Sequence, residues 1–437
     1  MNLKLLEGLW VVLVMLIKRE IMQYIIIGLC VLSFLGCSLP QKELKIPKTS
    51  VEIQGVSNIS QDVSFYANKI HRGYIASLEE YKKNYYREWH TTHPFIKASQ
   101  ASWANKVFHS PHYYGENFQK VTDDFYTHLR ENTNFKNYAT LNKKAYTLRR
   151  VNVRALPTQR MLFLNPSKAG EGFPFDYLQN SSLAAYKPIF VSHYSQDRAW
   201  VFIESSFVAG WVKRSDIAFI DTQSAKMWEN SIQNIVIQDA QAIYGKDSKF
   251  LFYSQIGQML PSNHHLFTAP DVLHRGLLPF NKETIEMILS QLQNNIYGWG
   301  GMYGQRDCSA TIRDFFAPFG IWLPRNSSQQ AKIGEVISFD GMDDRQKIDT
   351  IKKYAIPFET LLYKKGHIVL YVGTFNNNVI IFHNTWGVKT SLEKKEGRYI
   401  IGKPIFSTLD FGQNLKGYKK ENSILHHLQS MNIVTAK

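Results

Sequence analysis

Tyr297-Gly-Trp-Gly-Gly-Met-Tyr-Gly-Gln-Arg-Asp-Cys-Ser-Ala-Thr-Ile-Arg-Asp-Phe-Phe316 changes character half way along. Its first part, residues 297–307, is a loop of glycines and aromatics. Its second part places Ile312, Phe315 and Phe316 on one helical face. Asp307 stands at the junction, a residue type that caps helix starts well. The reading is a loop, a cap and a helix with Cys308 in its first turn. There the unsatisfied backbone N–H groups and the positive helix end favour a thiolate. The same donors suit the oxyanion formed when a thiolate attacks a carbonyl. A lone cysteine is more often a buried structural thiol. The small residues ahead of Cys308 argue for a nucleophile, because such a loop lets another group approach the backbone. No Gly-Lys-Ser or Gly-Lys-Thr follows, so the loop does not read as a phosphate cradle.

Outward from this stretch, Ile285, Ile288, Leu289 and Leu292 predict a helix over residues 282–296. Three strands are expected downstream, over residues 366–373, 378–383 and 397–401. A cysteine nucleophile needs a base, and of fourteen histidines His367 is the best placed, opening a strand after the turn at Lys364-Lys365-Gly366. His383 closes the next strand. If the two strands are antiparallel, it lies near His367 and fixes its tautomer, as the third member of a triad does. The bland reading of each histidine is an exposed strand end. Adjacent His264 and His265 lack a third ligand at metal-site spacing, so no metal is expected.

At 437 residues the chain exceeds a single core, and two to four domains are expected. Residues 60–145 are rich in Tyr, Trp, Phe and Lys, with Phe65, Ile70, Ile75, Leu78 and Tyr81 at helical spacing, and predict a helical segment. Short strand-like stretches separated by turn residues predict one small β-barrel over 146–221 and another over 222–272, with an α+β domain over 273–437. The formal charge of +15 favours an acidic partner without choosing between nucleic acid, an anionic membrane and an acidic polymer. The basic residues fall in scattered pairs rather than an arginine and aromatic pattern, which reads as solvated surface, and no nucleic-acid partner is expected.

Only three cysteines are present, Cys30, Cys37 and Cys308. The first two lie in or just after an apolar run that begins near Tyr24, follows a basic segment and ends Phe34-Leu-Gly-Cys-Ser38. That ending resembles a bacterial lipoprotein signal, with Cys37 the lipidated residue, although Phe34 stands where leucine is commonest. Met22 offers an alternative start, and an uncleaved membrane anchor is the bland reading. Residues 1–37 are therefore expected to be the signal region and 38–59, with Pro40 and Pro47, a tether. Both readings put the remainder outside the cytoplasm.

Four stretches together, Tyr297-Gly-Trp-Gly-Gly301, Arg306-Asp-Cys-Ser309, Gly366-His-Ile-Val-Leu-Tyr-Val-Gly373 and His383-Asn-Thr-Trp-Gly387, resemble the NlpC/P60 cysteine peptidases. Arg154-Ala-Leu-Pro-Thr158, residues 172–182 and Gly210-Trp-Val212 resemble the first of the bacterial SH3 domains that precede the peptidase in multidomain members. The resemblance implies a multidomain α+β chain: a helical N-terminal segment, two SH3-like barrels and a papain-like peptidase domain. It implies a Cys-His-His triad at Cys308, His367 and His383, and hydrolysis of the γ-D-Glu to diamino acid amide in peptidoglycan stem peptides, without a cofactor. It implies that the first SH3 domain narrows the cleft to substrates with a free L-Ala amine, met by Asp307 and Ser309; Glu204 is a weak further candidate. Ala310 stands where glycine is frequent. The expected location is the periplasm, lipid-anchored to the outer membrane, with oligomeric state left open. Two rivals from other classes are a catalytically idle wall-binding protein, and an amidase or acyltransferase on a related core.

Overall fold

A computed structural model describes residues 52–436 except 69, 71–73, 75, 109–111, 263–265, 267 and 394. The expectations for Cys30, Cys37, the tether up to residue 51, His264 and His265 therefore lie outside the described residues.

The N-terminal segment holds short helices, among them α1 (Val63–Ala67), α2 (Leu78–Tyr85) and α3 (Asp123–Asn132). The helical character expected here is present in short pieces, with α1 ending at Ala67 and α2 beginning at Leu78. Phe65 is half exposed while its neighbour Tyr66 is buried, stacked on Phe406 at 4.5 Å between ring centroids. The reason is tertiary. Short helices take their stability from what they cover rather than from propensity, and α1 covers the C-terminal sheet. Gln61 fixes it there, its amide accepting from Phe406 N at 3.0 Å and donating to Phe406 O at 2.8 Å.

Seven short antiparallel strands follow: β1 (Lys143–Thr147), β2 (Val151–Arg154), β3 (Gln179–Leu183), β4 (Pro188–Tyr194), β5 (Trp200–Glu204), β6 (Ala209–Lys213) and β7 (Ile217–Phe219). They lie in the order β3-β2-β6-β5-β4-β1-β7. Ala145, Val153, Leu183, Ile189, Val201, Val212 and Ile217, one from each strand, meet in a single core, as in a sheet that wraps on itself. All five residues of β5 are buried, so its outer face is covered too. Trp200, Phe202 and Trp211 cluster there with Ala101, Phe135 and Tyr138 of the N-terminal segment.

After helix α4 (Thr222–Asn230) come β8 (Gln233–Val236), β9 (Ala242–Tyr244), β10 (Phe250–Tyr253), β11 (Met259–Pro261) and β12 (Leu273–Arg275). They form two small sheets, β11-β8-β12 and β10-β9, around one core of Val236, Ile243, Phe252, Leu260 and Val272.

The C-terminal part opens with α5 (Lys282–Gln293), shorter than its periodicity suggests, and α6 (Cys308–Phe316). These pack on a six-stranded antiparallel sheet of β13 (Glu335–Ser338), β14 (Thr360–Lys364), β15 (His367–Phe375), β16 (Asn378–Leu392), β17 (Lys395–Thr408) and β18 (Leu428–Ile433), in the order β13-β18-β14-β15-β16-β17. Helix α7 (Asp344–Tyr354) follows β13. Ile312 and Phe315 of α6, together with Ile285 and Leu289 of α5, bury against Ile368, Leu370 and Phe382. The alternation of β15 and β16 puts these apolar residues on the helix side. The described residues make up one compact unit.

Candidate active site

Asp307 is the N-cap of α6, its carboxylate accepting from Ala310 N at 3.0 Å, and Cys308 is the first helical residue. The backbone of the loop before it is left-handed at Gly300 (φ 57°) and Gly301 (φ 80°). What comes close to these glycines is β3 of the first barrel. A Cβ on Gly301 would lie 2.2 Å from Ser182 Oγ, and one on Gly300 2.7 Å from the Gln179 carbonyl oxygen. Gln179 donates to Gly300 O at 3.0 Å, and Trp299 Nε1 to Asp176 O at 3.0 Å. The small residues thus admit a strand, and the barrel becomes a wall of the cleft. That cleft has a volume of about 970 Å³. Phe175, Tyr177, Gln179 and Asn180 line one part; Cys308, Asp307, Ser309 and His367 line another.

β15 and β16 are antiparallel, and His367 Nε2 lies 2.9 Å from His383 Nδ1. His383 Nε2 in turn lies 3.0 Å from Ser407 Oγ, and the Ser407 hydroxyl donates to Thr408 O at 2.9 Å. The protons in this chain have one consistent order. A carbonyl only accepts, so the Ser407 hydroxyl is the donor there and accepts from His383 Nε2–H. His383 Nδ1 is then bare and accepts from His367 Nε2–H. The remaining ring nitrogen of His367, Nδ1, is left unprotonated, the state a base requires.

The electrostatics differ from the expectation for a cysteine at a helix start. Burial, then the neighbouring Asp307 carboxylate, push the Cys308 thiol up to about 12, and the N–H groups of Ile368 and Ser309 only partly offset them. Burial, then Lys364, push His367 down to about 3, and burial also holds His383 well below its ordinary value. Both shifts favour the neutral forms, a thiol at Cys308 and an imidazole at His367.

Asp307 and Ser309 share a partner that no sequence pattern signals. Arg325, itself buried, forms a two-point ion pair with Asp307, donates to Ser309 Oγ at 2.7 Å and to Ser181 Oγ of β3 at 2.8 Å. Burial alone raises the Asp307 pKa; the Arg325 cation and the N–H groups of Ala310 and Gly300 overcome it and hold the carboxyl below the usual range. Ser407 is equally silent in the sequence, whereas Gln179 lies in the quoted stretch 172–182 with no role assigned to it. Asn384, directly after His383, sits in a quoted motif, and its side chain pins α6 through Arg306 O at 2.7 Å and Thr311 Oγ1 at 3.1 Å. Glu204 does not line the cleft; it accepts from the backbone N–H of Phe95 and Ile96 at 2.8 and 3.1 Å and holds the N-terminal segment. Among the described residues no group of three or more His, Cys, Asp or Glu is arranged to hold a metal ion.

Three family models match the chain. The NlpC/P60 family model covers residues 294–403, the N-terminal NlpC/P60 stabilising domain covers 25–138, and an SH3 domain of the SH3b1 type covers 161–213. Among solved structures, an NlpC/P60 endopeptidase from Photobacterium damselae subsp. piscicida is 23% identical, with a TM-score of 0.77, covering 89% of this chain and 99% of its own. That likeness shows a shared fold. An NlpC/P60 family protein from Bacillus cereus is 15% identical with a TM-score of 0.40, covering 66% of this chain and 98% of its own. No curated protein matches the chain.

Proposed function

We propose that this chain, a cysteine peptidase whose residues 294–403 belong to the NlpC/P60 family, cuts the amide between γ-D-Glu and the diamino acid, meso-diaminopimelate foremost, of peptidoglycan stem peptides. The observation that carries this reading is the proton order from Thr408 O to His367, which leaves Nδ1 bare in the cleft that Cys308 lines. The Cys308 sulfur attacks the γ-carbonyl of D-Glu while its proton passes to His367 Nδ1. The oxyanion faces the N–H groups at the start of α6. As the tetrahedral species collapses, the diamino acid leaves with the proton from His367 and a thioester remains. Water then loses a proton to the same nitrogen, attacks the thioester, and the sulfur is reprotonated.

The barrel wall supports a preference for a free L-Ala amine, because Phe175, Tyr177 and Gln179 of the first barrel line the same cleft as Cys308 and take up room that a longer N-terminal extension would need. Asp307, held anionic by Arg325, is the group such an ammonium would meet. Lys364, Lys365, Lys389 and Arg398 give the cleft a cationic flank suited to the carboxylates of the stem peptide. Anchoring through Cys37 at the outer membrane, facing the periplasm, accords with Phe34-Leu-Gly-Cys37 and with a wall substrate.

The test is incubation with L-Ala-γ-D-Glu-meso-diaminopimelate and its N-acetyl form. Free diaminopimelate should appear only from the first, and Cys308→Ala should abolish its release without changing the melting temperature. Release by Cys308→Ala at the wild-type rate rules the cysteine mechanism out. Equal cleavage of both peptides removes the role given to the barrel wall.

A further inference from the structure

A second groove, of about 610 Å³, shares no lining residue with the cleft. It lies between the β9–β10 hairpin and the same glycine-rich loop, through Tyr303, Gly304 and Gln305. β10 does not follow a simple alternation. Phe252 is buried, but Phe250 and Tyr253 are 51% and 65% exposed, with ring centroids 4.9 Å apart, and Tyr303 opposite is 67% exposed. Three large rings on one groove is more apolar surface than scattered exposure explains.

The groove also contains a cation that makes no close ion pair. Arg150 donates to Ser182 Oγ at 3.3 Å, its Nε is buried with no hydrogen-bond partner, and among the described residues no carboxylate forms a close ion pair with it, although Asp314 and Asp239 act on it from further off. Asp239 lines the same groove, but both its oxygens are bonded to Arg306. Burial, then the like charge of Arg306, lower the Arg150 pKa to about 10, so it remains charged at neutral pH. Arg150 is partly buried and its Nε–H is unmet, so an anion entering the groove gains a charge-assisted hydrogen bond there.

Flat rings suit the faces of pyranose sugars, whose C–H groups meet the negative face of an aromatic ring, while a guanidinium suits a carboxylate. We propose that this groove binds the glycan strand of the cell wall where the lactyl carboxylate of muramic acid is free of peptide. A strand still bearing stem peptides has that carboxylate tied up as an amide. The inference rests on the proposed function in one respect: a substrate with a free L-Ala amine must be supplied by hydrolysis of the lactyl–L-Ala amide. That reaction leaves one product for the cleft and the other for the groove.

The test measures binding, with Cys308→Ala protein, to peptide-free glycan strands, to peptide-bearing strands and to chitohexaose, which has the sugar faces without the carboxylate. Peptide-free strands should bind roughly tenfold tighter than the other two. Tyr253→Ala, at an exposed position that does not threaten the fold, should weaken binding to every glycan by a similar factor, and Arg150→Gln should erase the preference for the free carboxylate. With Cys308 intact, Tyr253→Ala should cleave the free tripeptide as the wild type does. No binding of peptide-free strands, or binding indifferent to Tyr253→Ala, overturns the proposal, and equal affinity for the three glycans overturns the carboxylate part. Because binding is read without turnover, failure of the peptidase reading would show separately, as absence of tripeptide cleavage by the wild type.

Discussion

The carbonyl oxygen of Thr408 orders the protons of three side chains, because it is the one member of the chain that can only accept. Ser407 transmits that constraint to His383 and so to His367. Ser407→Ala removes the acceptor for His383 Nε2–H and lets that ring adopt either tautomer. We expect kcat to fall on the order of tenfold with KM unchanged, and Ser407→Thr to recover most of it; a change confined to KM would show that Ser407 only shapes the cleft. The thiol makes a second prediction at this scale. With Cys308 pushed up to about 12, the thiolate fraction grows about tenfold per pH unit through the neutral range. Alkylation by iodoacetamide should therefore climb steadily from pH 7 to 9. A rate already level from pH 5 would mean a preformed thiolate–imidazolium pair.

Among elements, those with strong local signals were legible. Asp307 announces α6, the alternation after Gly366 announces β15, and both hold in the structure. Their assembly makes Cys308, Asp307, Ser309 and His367 share one cleft, and His383 touch His367, as the sequence suggested. β3, β14 and β18 were not read as strands, because β3 carries Gln-Asn-Ser-Ser and the other two are fixed by pairing across the chain. Arg325 was illegible for a related reason: its partners Ser181 and Asp307 are remote in sequence. The joint between β3 and the glycine-rich loop is the element most exposed to a small change. Gly301→Ala keeps a left-handed backbone (φ 80°) that alanine resists and drives a methyl into Ser182. We expect a loss of about 1–3 kcal/mol in urea unfolding, together with a drop in kcat/KM as the barrel wall shifts. Loss of stability with full activity would mean that the wall does not shape the substrate site.

For the whole molecule, composition divides the chain into segments but is silent on how far each depends on the others. The contacts are decisive there. Arg306, 2% exposed, has Asp314 of α6 on one side and Asp239, between β8 and β9, on the other. Tyr66 of α1 stacks on Phe406, and Gln61 holds both backbone groups of that residue. A fragment of residues 273–437 keeps the whole six-stranded sheet and every candidate catalytic side chain. It loses Asp239, leaving the Arg306 guanidinium half paired, and removing one partner of a buried ion pair costs about 3–5 kcal/mol. It also uncovers the face of α5 and β15 beneath α1. Since a domain has only about 5–15 kcal/mol in hand, we expect this fragment to bind a hydrophobic dye, to melt without a cooperative transition and to leave the tripeptide uncut. A fragment that melts sharply within a few degrees of the full chain and cleaves the tripeptide would show that the N-terminal strap and the barrels are docked onto a self-sufficient peptidase. Retained melting with lost selectivity for the free amine would place the barrels in substrate choice alone.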